Sequence, residues 1–260
     1  MKKDTGKIKK IVRDGYAKAL SQNTSCCSTS SCCCGTDQAK KISKKVGYSD
    51  SEMNAVPEGA NLGFGCGNPV ALASLKEGDV VLDLGSGAGF DAFLASSKVG
   101  KTGKVIGVDM TPEMIKKAQA NALKGNYTNV EFRFGEIEKL PVDNSSIDVI
   151  ISNCVINLSP DKERVFEEAF RVLKLGGRLM VSDLVLAKDL PKEFKDSIEA
   201  YVGCIAGAIK KDEYLKFITM AGFQDILVIS ESSYPVDAMF DNLKGAQDAV
   251  LSIKVSAVKR

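Results

Sequence analysis

The segment VVLDLGSGAGFD, residues 80–91, joins an apolar run of strand length directly to a glycine-rich loop. An uninterrupted apolar run of this length is typical of a parallel strand that is covered on both faces of its sheet. Gly85, Gly87 and Gly89 allow the backbone to turn sharply and to approach a ligand without a Cβ atom in the way. The segment therefore predicts a strand, a ligand-binding turn and the start of a helix.

Further apolar runs of strand length follow this segment, and helical patterns separate them. Thr111-Pro112 favours a helix start, as an N-cap followed by proline at the first helical position, and Gly125 is its expected end. Ser159-Pro160 opens a second helix in the same way, and Gly176-Gly177 is its expected stop. The alternation predicts an α/β fold with a doubly wound, mostly parallel sheet of the Rossmann-like type. The other predicted strands of this part are 104–110, 129–135, 147–153 and 178–185.

The two ends of the chain follow different patterns. Near the carboxyl end, helices are expected at about 193–208 and 211–221. Residues 224–232 and 251–259 then predict an antiparallel pair of strands at the sheet edge. Near the amino end, a short helix is expected before residues 21–38, a stretch rich in Ser, Thr and Cys that cannot build a core.

Composition and charge restrict the class of protein. Of the 260 residues, 44% are hydrophobic and 26% are charged, which is ordinary for a soluble globular protein. The absence of histidine excludes Ser-His and Cys-His catalytic pairs. Residues 1–50 hold 11 Lys/Arg against 4 Asp, but without interleaved aromatic residues this basic arm does not predict nucleic-acid binding. No run is apolar enough for a membrane span or a signal peptide, so we expect a cytoplasmic protein.

Eight cysteines in a chain of cytosolic character indicate metal, metalloid or redox chemistry rather than a disulfide framework. Cys66 lies in the glycine-rich loop 63–69, Cys154 follows a predicted strand, and Cys204 lies on a predicted helix. Singly, each is also consistent with a buried structural cysteine. Together, without histidine or the CxxC spacing of structural zinc, they predict a sulfur-only site that favours a soft trivalent metalloid such as arsenic. The other five lie within nine residues: Cys26, Cys27, Cys32, Cys33 and Cys34.

The glycine loop also restricts the ligand. A dinucleotide fingerprint needs glycine where this chain has Phe90, and the spacing GxGxG resembles motif I of class I S-adenosylmethionine-dependent methyltransferases. Asp109, 24 residues after Gly85, lies at the end of the next strand, where a carboxylate can accept both hydroxyls of a ribose. The resemblance implies S-adenosyl-L-methionine as methyl donor. It implies as donor-binding residues Asp83, Gly85, Ser86, Gly87, Gly89, Asp109, Met110, Glu136, Ile137 and Asn153.

Longer motifs within residues 8–225 extend this comparison. They are VPEGANLGFGCGNPVALASLKEGDVVLDLGSGAGFD (56–91), IGVDMTPEMI (106–115), GEIEKLP (135–141), SNCVINLSPDK (152–162) and GCIAGA (203–208). Together they resemble the arsenite S-adenosylmethionine methyltransferases. The resemblance implies that Cys66, Cys154 and Cys204 bind arsenic and take part in turnover. It also implies that an N-terminal cysteine acts in reduction, for which the candidates are Cys32, Cys33 and Cys34. Cys26-Cys27 could instead load or relay arsenic.

The implied activity is the transfer of methyl groups from S-adenosylmethionine to trivalent arsenic held by cysteine thiolates, in arsenic detoxification. A thiol reductant of glutathione or thioredoxin type would reopen disulfides between rounds. The expected partners are small molecules, namely arsenite, its thiol conjugates and methylated arsenicals, with no nucleic acid and no membrane. We expect a monomer with three parts: a basic N-terminal helix and Cys-rich arm (1–50), a donor-binding methyltransferase domain (51–190) and a smaller C-terminal α+β region that binds arsenic and supplies edge strands (191–260).

Two other classes stay open on the residues alone. A methyltransferase that acts on oxygen, nitrogen or carbon of a small metabolite would bury the cysteines and give no arsenite-dependent product. A non-catalytic metalloid-binding protein would bind arsenite without methyl transfer. A nicotinamide or flavin oxidoreductase is disfavoured because Phe90 breaks its fingerprint.

Overall fold

One mixed sheet organises the chain. The computed structural model describes residues 5–21, 36–69, 73–234, 236 and 248–260. Within these residues the strands are β1 (Val80–Leu84), β2 (Lys104–Asp109), β3 (Val130–Phe134), β4 (Ile147–Asn153), β5 (Leu173–Leu186), β6 (Gln224–Ser233) and β7 (Val250–Val258). Their order across the sheet is β3-β2-β1-β4-β5-β7-β6.

The pairing of the strands confirms the predicted sheet. Strands β1 to β5 all run parallel to one another, so their carboxyl ends meet at the same edge of the sheet. Strand β7 runs antiparallel to both β5 and β6, which places β6 at the sheet edge. The antiparallel pair predicted from residues 224–232 and 251–259 is thus confirmed, and β7 is the strand that joins it to the parallel part.

The helices lie between the strands, as the alternation predicts. Within the described residues they are α1 (Thr5–Ser21), α2 (Thr36–Lys45), α3 (Asp50–Asn54), α4 (Phe90–Val99), α5 (Pro112–Lys124), α6 (Lys162–Val172), α7 (Lys192–Asp196), α8 (Ile198–Val202) and α9 (Lys211–Met220). The predicted limits of α5 are confirmed, since Thr111 and Gly125 flank it.

The predicted limits of α6 are wrong at both ends. The N-cap is Asp161, whose side chain accepts a hydrogen bond from the Arg164 backbone N–H, so the helix starts two residues after Ser159-Pro160. The helix ends at Val172 rather than at Gly176-Gly177, because Leu173 already pairs with Ile147 of β4. Strand β5 therefore begins five residues before the predicted position 178.

The single helix predicted at 193–208 is also wrong, because the structure has two short helices there. Ser197 is extended, with φ −78° and ψ 123°, and its side chain accepts a hydrogen bond from the Ala200 backbone N–H to cap α8. The chain leaves α8 at Gly203, and Cys204 follows with a left-handed φ of 65°. Residues 203–208 thus form turns that present Cys204, not a continuation of the helix.

Apolar side chains fill both faces of the sheet. On one face, Phe166 of α6 and Tyr214 of α9 pack in a fully buried cluster with β1, β4 and β5. On the other face, Phe93 of α4 and Ala118 of α5 pack against β1, β2 and β4. Because helices cover both faces of the sheet, the parallel strands are continuous apolar runs in the sequence. Among the helices of the described residues, none has both the length and the apolar composition needed to cross a bilayer.

Helix α1 contacts the segments that carry the cysteines. A methyl group on Gly15 would come within 2.9 Å of Val202 Cγ2 at the end of α8, so the two helices are in close contact. The rings of Tyr16 and Phe64 pack edge to face with centroids 5.4 Å apart. The helix expected before the Cys-rich stretch is therefore confirmed. That stretch itself, with Cys26, Cys27, Cys32, Cys33 and Cys34, lies outside the described residues.

Candidate active site

The glycine loop connects β1 to α4 and is held against the end of β2. The Gly87 N–H donates a hydrogen bond of 3.0 Å to Asp109 Oδ2, and the Thr111 N–H donates one of 2.8 Å to Asp109 Oδ1. Gly87 has a φ of +52°, and a Cβ atom built on it would meet no atom within 4 Å. The left-handed φ favours glycine at this position, and the open space beside it is room for a ligand.

Polar atoms without partners lie beside this loop. Asp83 Oδ2 and Ser86 Oγ are buried and have no hydrogen-bond partner among the described residues. Burial, together with the nearby carboxylates of Asp91 and Asp109, raises the pKa of Asp83 well above its ordinary value. Buried polar groups are normally hydrogen-bonded, so these atoms indicate a ligand that supplies cationic or donor groups.

These residues fit S-adenosylmethionine. Its ammonium group would pair with the carboxylate oxygen of Asp83 that has no partner among the described residues. Each carboxylate oxygen of Asp109 accepts one backbone hydrogen bond and keeps a lone pair for a ribose hydroxyl. Of the other predicted donor-binding residues, Met110 and Ile137 line the same cavity as the loop.

Asn153, predicted to bind the donor, lies between the donor loop and the segment that carries Cys66. Its Nδ2 donates to the Gly67 carbonyl at 2.8 Å and to Asp91 Oδ2 at 3.1 Å, and its Oδ1 accepts from the Cys66 N–H at 3.0 Å. Tyr48 donates a 2.6 Å hydrogen bond to Asp91 Oδ1. Asn153 therefore ties the Cys66 backbone to a carboxylate of the donor site, and donor binding by its side chain stays a prediction.

The three cysteines outside the Cys-rich stretch come together at this edge of the sheet. Cys66, Cys154 and Cys204 are all buried, and Cys204 Sγ donates a 2.9 Å hydrogen bond to the Cys154 carbonyl. Cys154 and Cys204 have left-handed φ values of 59° and 65°. Such values are uncommon for residues other than glycine, and backbone strain of this kind concentrates at functional sites.

The thiols interact with one another and with a carboxylate that the sequence interpretation missed. Cys66 Sγ, Cys154 Sγ and a carboxylate oxygen of Asp183 all lie within 4.8 Å of one another. Interactions with the Cys204 and Cys66 thiols, and then burial, raise the pKa of Cys154 well above its ordinary value. Burial also raises the pKa of Cys66. The structure thus brings together all three cysteines predicted to bind arsenic.

Asp183 is a buried carboxyl group on β5. It accepts hydrogen bonds from the Leu184 N–H at 3.0 Å and from the Tyr214 hydroxyl at 3.1 Å. Burial raises its pKa to about 7. The sequence signal that could have identified Asp183 was a charged residue inside the apolar run RLMVSDLV. This run forms part of β5, which pairs with β4, the strand that Cys154 follows.

One cavity of about 590 Å³ reaches from the donor loop to the cysteines. Glu136 and Gly89, both predicted to bind the donor, do not line it: the Glu136 carboxylate pairs with Lys9 Nζ at 2.8 Å, and Gly89 is the N-cap of α4. The candidate reducing residues Cys32, Cys33 and Cys34 lie outside the described residues. The predicted site residues that line the cavity are Cys66, Asp83, Gly85, Ser86, Gly87, Asp109, Met110, Ile137, Asn153, Cys154 and Cys204.

The strand order and the donor loop define the class as class I S-adenosylmethionine methyltransferases. Residues 75–222 match the family model of the methyltransferase domain. A crystal structure of CrArsM, an arsenic(III) S-adenosylmethionine methyltransferase from Chlamydomonas reinhardtii, superposes with a TM-score of 0.65 and 32% identity over 85% of this chain and 73% of that chain.

Curated relatives carry the same family name. The arsenite methyltransferase of Halobacterium salinarum is 44% identical over 231 residues, which cover 86% of this chain and 59% of that protein. The human arsenite methyltransferase is 34% identical over 225 residues, which cover 83% of this chain and 58% of that protein. The chain belongs to the arsenite methyltransferase family and spans about three-fifths of the length of these relatives.

Asp183→Asn tests the buried carboxyl group through its pH dependence. Folding raises the pKa of Asp183 from 3.8 to about 7, so the folded protein favours the protonated carboxyl group. The stability that this protonated group contributes is lost as pH rises from 3.8 through 7. Asparagine stays neutral. From pH 5 to pH 8 the free energy of unfolding should therefore shift by about 2–3 kcal/mol in favour of the variant, measured by urea titration. Exposed Asp212→Asn is the control, and a pH-independent difference for Asp183→Asn would refute the buried pKa.

Asn153→Ala tests the tie between the donor site and Cys66. The variant removes the acceptor of the Cys66 N–H and the hydrogen bonds that the amide donates to Tyr48, Gly67 and Asp91. We expect alkylation of Cys66 by iodoacetamide, followed by mass spectrometry, to accelerate about tenfold, the size that loss of one to two hydrogen bonds gives. Asn129→Ala is the matched control, since that amide binds Ser96 and Gly100 away from the cysteines. Equal alkylation rates in wild type and Asn153→Ala would contradict the assignment.

Proposed function

We propose that this protein transfers methyl groups from S-adenosylmethionine to trivalent arsenic held by the thiols of Cys66, Cys154 and Cys204, as a step of arsenic detoxification. The observation that carries the proposal is the cavity in which three buried thiols share a wall with the donor loop. Thiolates are soft ligands, and the chain has no histidine to favour a harder metal. The family membership supports the same assignment.

Capture of arsenite exchanges arsenic–oxygen bonds for arsenic–sulfur bonds. Each exchange forms one As–S bond, breaks one As–OH bond and releases water, so the thiol proton must reach the departing hydroxide. Asp183 is the carboxylate beside Cys66 and Cys154, and a pKa of about 7 lets it accept and return a proton near neutral pH. We assign this transfer to Asp183, and the strained backbone of Cys154 and Cys204 to the positioning of their thiols.

The donor end of the cavity binds S-adenosylmethionine and orients its methyl group. When bound, S-adenosylmethionine supplies a methyl group on a positively charged sulfonium, which the arsenic lone pair attacks. Asp83, Asp91 and Asp109 line this end, and because a cation nearby favours the charged form of a carboxyl group, a bound cationic donor would stabilise their ionised forms. No general base is needed at the arsenic atom, since the attacking lone pair carries no proton. The chain's contribution is proximity and alignment, which are worth about 7–11 kcal/mol of a barrier in favourable cases.

Reduction completes the cycle. Methylation formally removes two electrons from arsenic, and two thiols that close a disulfide return them and release two protons. We assign this to one of Cys32, Cys33 and Cys34 together with the site cysteines, and reopening of the disulfide to a glutathione- or thioredoxin-type reductant. The residues that flank the stretch support this, because Ser21 ends α1 and Thr36 begins α2, and both helices line the cavity.

The division of labour along the chain follows from these roles. We assign donor binding to residues 51–190 and part of the arsenic site to residues 191–260, which contribute Cys204 and the antiparallel strands β6 and β7. Residues 1–50 contribute α1, whose Tyr16 hydroxyl lies 3.8 Å from Cys204 Sγ.

The direct test is product analysis. Purified protein is incubated with methyl-labelled S-adenosylmethionine, arsenite and a thiol, and the arsenic species are separated over time. The proposal requires label in methylated arsenic. Labelled small metabolites without arsenic products would indicate a metabolite methyltransferase, and arsenite binding without labelled product would indicate a metalloid-binding protein.

Cys154→Ser tests the central thiol. The hydroxyl cannot form the As–S bond, so we expect methylation of arsenite to fall below detection while S-adenosylmethionine binding by equilibrium dialysis is unchanged. Ser152→Ala, two residues earlier on β4, is the matched control, because its buried Oγ has no partner among the described residues. Wild-type turnover in Cys154→Ser would remove this cysteine from the site.

Serine replacements in the Cys-rich stretch test reduction. Changing Cys32, Cys33 and Cys34 to serine should slow turnover when the thiol reductant is limiting, and should leave binding of the methyl donor unchanged, because these residues return electrons and do not hold the donor. The comparison variant changes Cys26 and Cys27. A wild-type rate in the first variant at limiting thiol would show that these three cysteines are dispensable.

A further inference from the structure

Lys162, the first residue of α6, has a buried side chain and is only 8% exposed. Lysine is almost never buried in this way without a partner. Its ammonium donates hydrogen bonds of 3.2 Å to the Asn157 carbonyl and of 2.9 Å to the Ser159 carbonyl. Burial lowers the pKa of Lys162 to about 8, so the side chain is mostly charged at neutral pH. The groups whose charges oppose this lowering are Asp183, Glu213, Cys204 and Glu138.

Both acceptor carbonyls belong to residues 155–159, which follow Cys154 directly and which we call the Cys154 turn. The carbonyl between them, that of Leu158, accepts a 3.2 Å hydrogen bond from the Tyr201 hydroxyl of α8. Burial raises the pKa of Tyr201 to about 12, so this hydroxyl keeps its proton and donates. Side chains from two different helices therefore hold three consecutive carbonyls of the Cys154 turn.

Residues 203–208, which we call the Cys204 turn, pack against the same group that Lys162 binds. A Cβ atom on Gly207 would come within 2.2 Å of the Asn157 carbonyl oxygen, an approach that only glycine permits. The Lys162 ammonium donates to this oxygen. Lys162 therefore orients the carbonyl on which the Cys204 turn rests.

One further contact between the two turns depends on a thiol proton. Cys204 Sγ donates its hydrogen bond to the Cys154 carbonyl only while it carries that proton. When Cys204 forms an As–S bond with arsenite, an As–OH bond breaks and the thiol proton leaves in the released water. The hydrogen bond is then lost. The hydrogen bonds from Lys162 and Tyr201 involve no reacting thiol, so they remain.

We propose that Lys162 and Tyr201 are positioning residues that hold the Cys154 and Cys204 turns together once arsenic has displaced the thiol proton. This rests on the proposed function and adds two residues to the same site. Neither is among the described residues that line the cavity, so both act through the turns and not by touching arsenic. Their loss should therefore weaken binding that needs both thiols and spare binding to one.

Two reagents that differ in the number of thiols they bind test this. Phenylarsine oxide forms two As–S bonds, whereas methylmercury forms one Hg–S bond. Both are titrated, in competition with a free thiol, against a background chain that keeps Cys154 and Cys204. The cysteines changed to serine in this background are Cys26, Cys27, Cys32, Cys33, Cys34 and Cys66.

The expected change is confined to the reagent that needs two thiols. Lys162→Met should raise the Kd of phenylarsine oxide about tenfold, because it removes hydrogen bonds from a charged donor. Tyr201→Phe should raise it about threefold, because it removes one from a neutral donor. The Kd of methylmercury should stay within about twofold of the background value in both variants, a result that general loosening of the site would not give.

Lys259→Met is the matched control. Its ammonium also donates to two backbone carbonyls, those of Phe170 at 2.6 Å and Leu173 at 2.7 Å, at the other end of α6. It should leave the Kd of both reagents unchanged. An unchanged Kd of phenylarsine oxide in Lys162→Met and Tyr201→Phe, or an equal rise for both reagents, would overturn the proposal.

Folding and the proposed function are checked separately. Binding of S-adenosylmethionine reports whether each variant is folded, and if Lys162→Met fails this check, the result for Tyr201→Phe decides. Neither reagent requires methyl transfer. The product analysis with arsenite therefore tests the proposed function independently, and the two Kd values still confirm or refute the positioning role if no methylated arsenic forms.

Discussion

The parallel pairing of β1 with β4 is the constraint on which the rest of the site depends. Leu84 pairs with Ser152, so the segments that leave the two strands start side by side at the same edge of the sheet. One segment is the glycine loop and the other carries Cys154. Because the pairing fixes both, the donor end and the central thiol are neighbours before any side chain is placed. Ligands of open α/β sheets bind at this edge for the same reason.

Buried ionisable groups are concentrated around this edge, at a cost in stability. Asp91 has a pKa raised to about 6 and Asp183 one raised to about 7, both because burial disfavours the charged form. Burial raises the pKa of the Cys66 thiol, and interactions with the Cys204 and Cys66 thiols together with burial raise the pKa of Cys154, so both thiols are held in the protonated form. Such perturbed groups cluster at functional sites because binding and chemistry require them there. In our account, the methyl donor and arsenic supply the partners that the folded protein lacks.

The sequence was a good guide wherever one local pattern determined the result. Apolar runs predicted β1 to β4, and the glycine spacing with Asp109 predicted the donor loop, because each depends on residues close together in the chain. The end of α6 was mispredicted because its position depends on the pairing of Leu173 with a distant strand. The break at Ser197 was missed because a local capping hydrogen bond outweighs the helical pattern around it.

The candidate site shows the same difference between features set by local sequence and features set by contacts between distant residues. The three cysteines were identified because their residue type is rare and chemically distinctive. Asp183 was missed, since its significance depends on the distance across β4 and β5 to Cys154, which no spacing in the chain reveals. Asn153 was assigned to the donor from its motif, yet its hydrogen bonds join the donor end to the Cys66 backbone. Contacts across strands and loops are therefore what the structure adds.

Arsenic K-edge X-ray absorption spectroscopy of the arsenite-loaded protein tests the central claim most directly, because it counts the atoms bound to arsenic. Our account predicts a first shell of three sulfur atoms and no oxygen in wild type, with loss of one sulfur when any one of Cys66, Cys154 and Cys204 is changed to serine. A first shell that retains oxygen in wild type, or three sulfurs that persist in all three variants, would contradict convergence of these thiols on one atom.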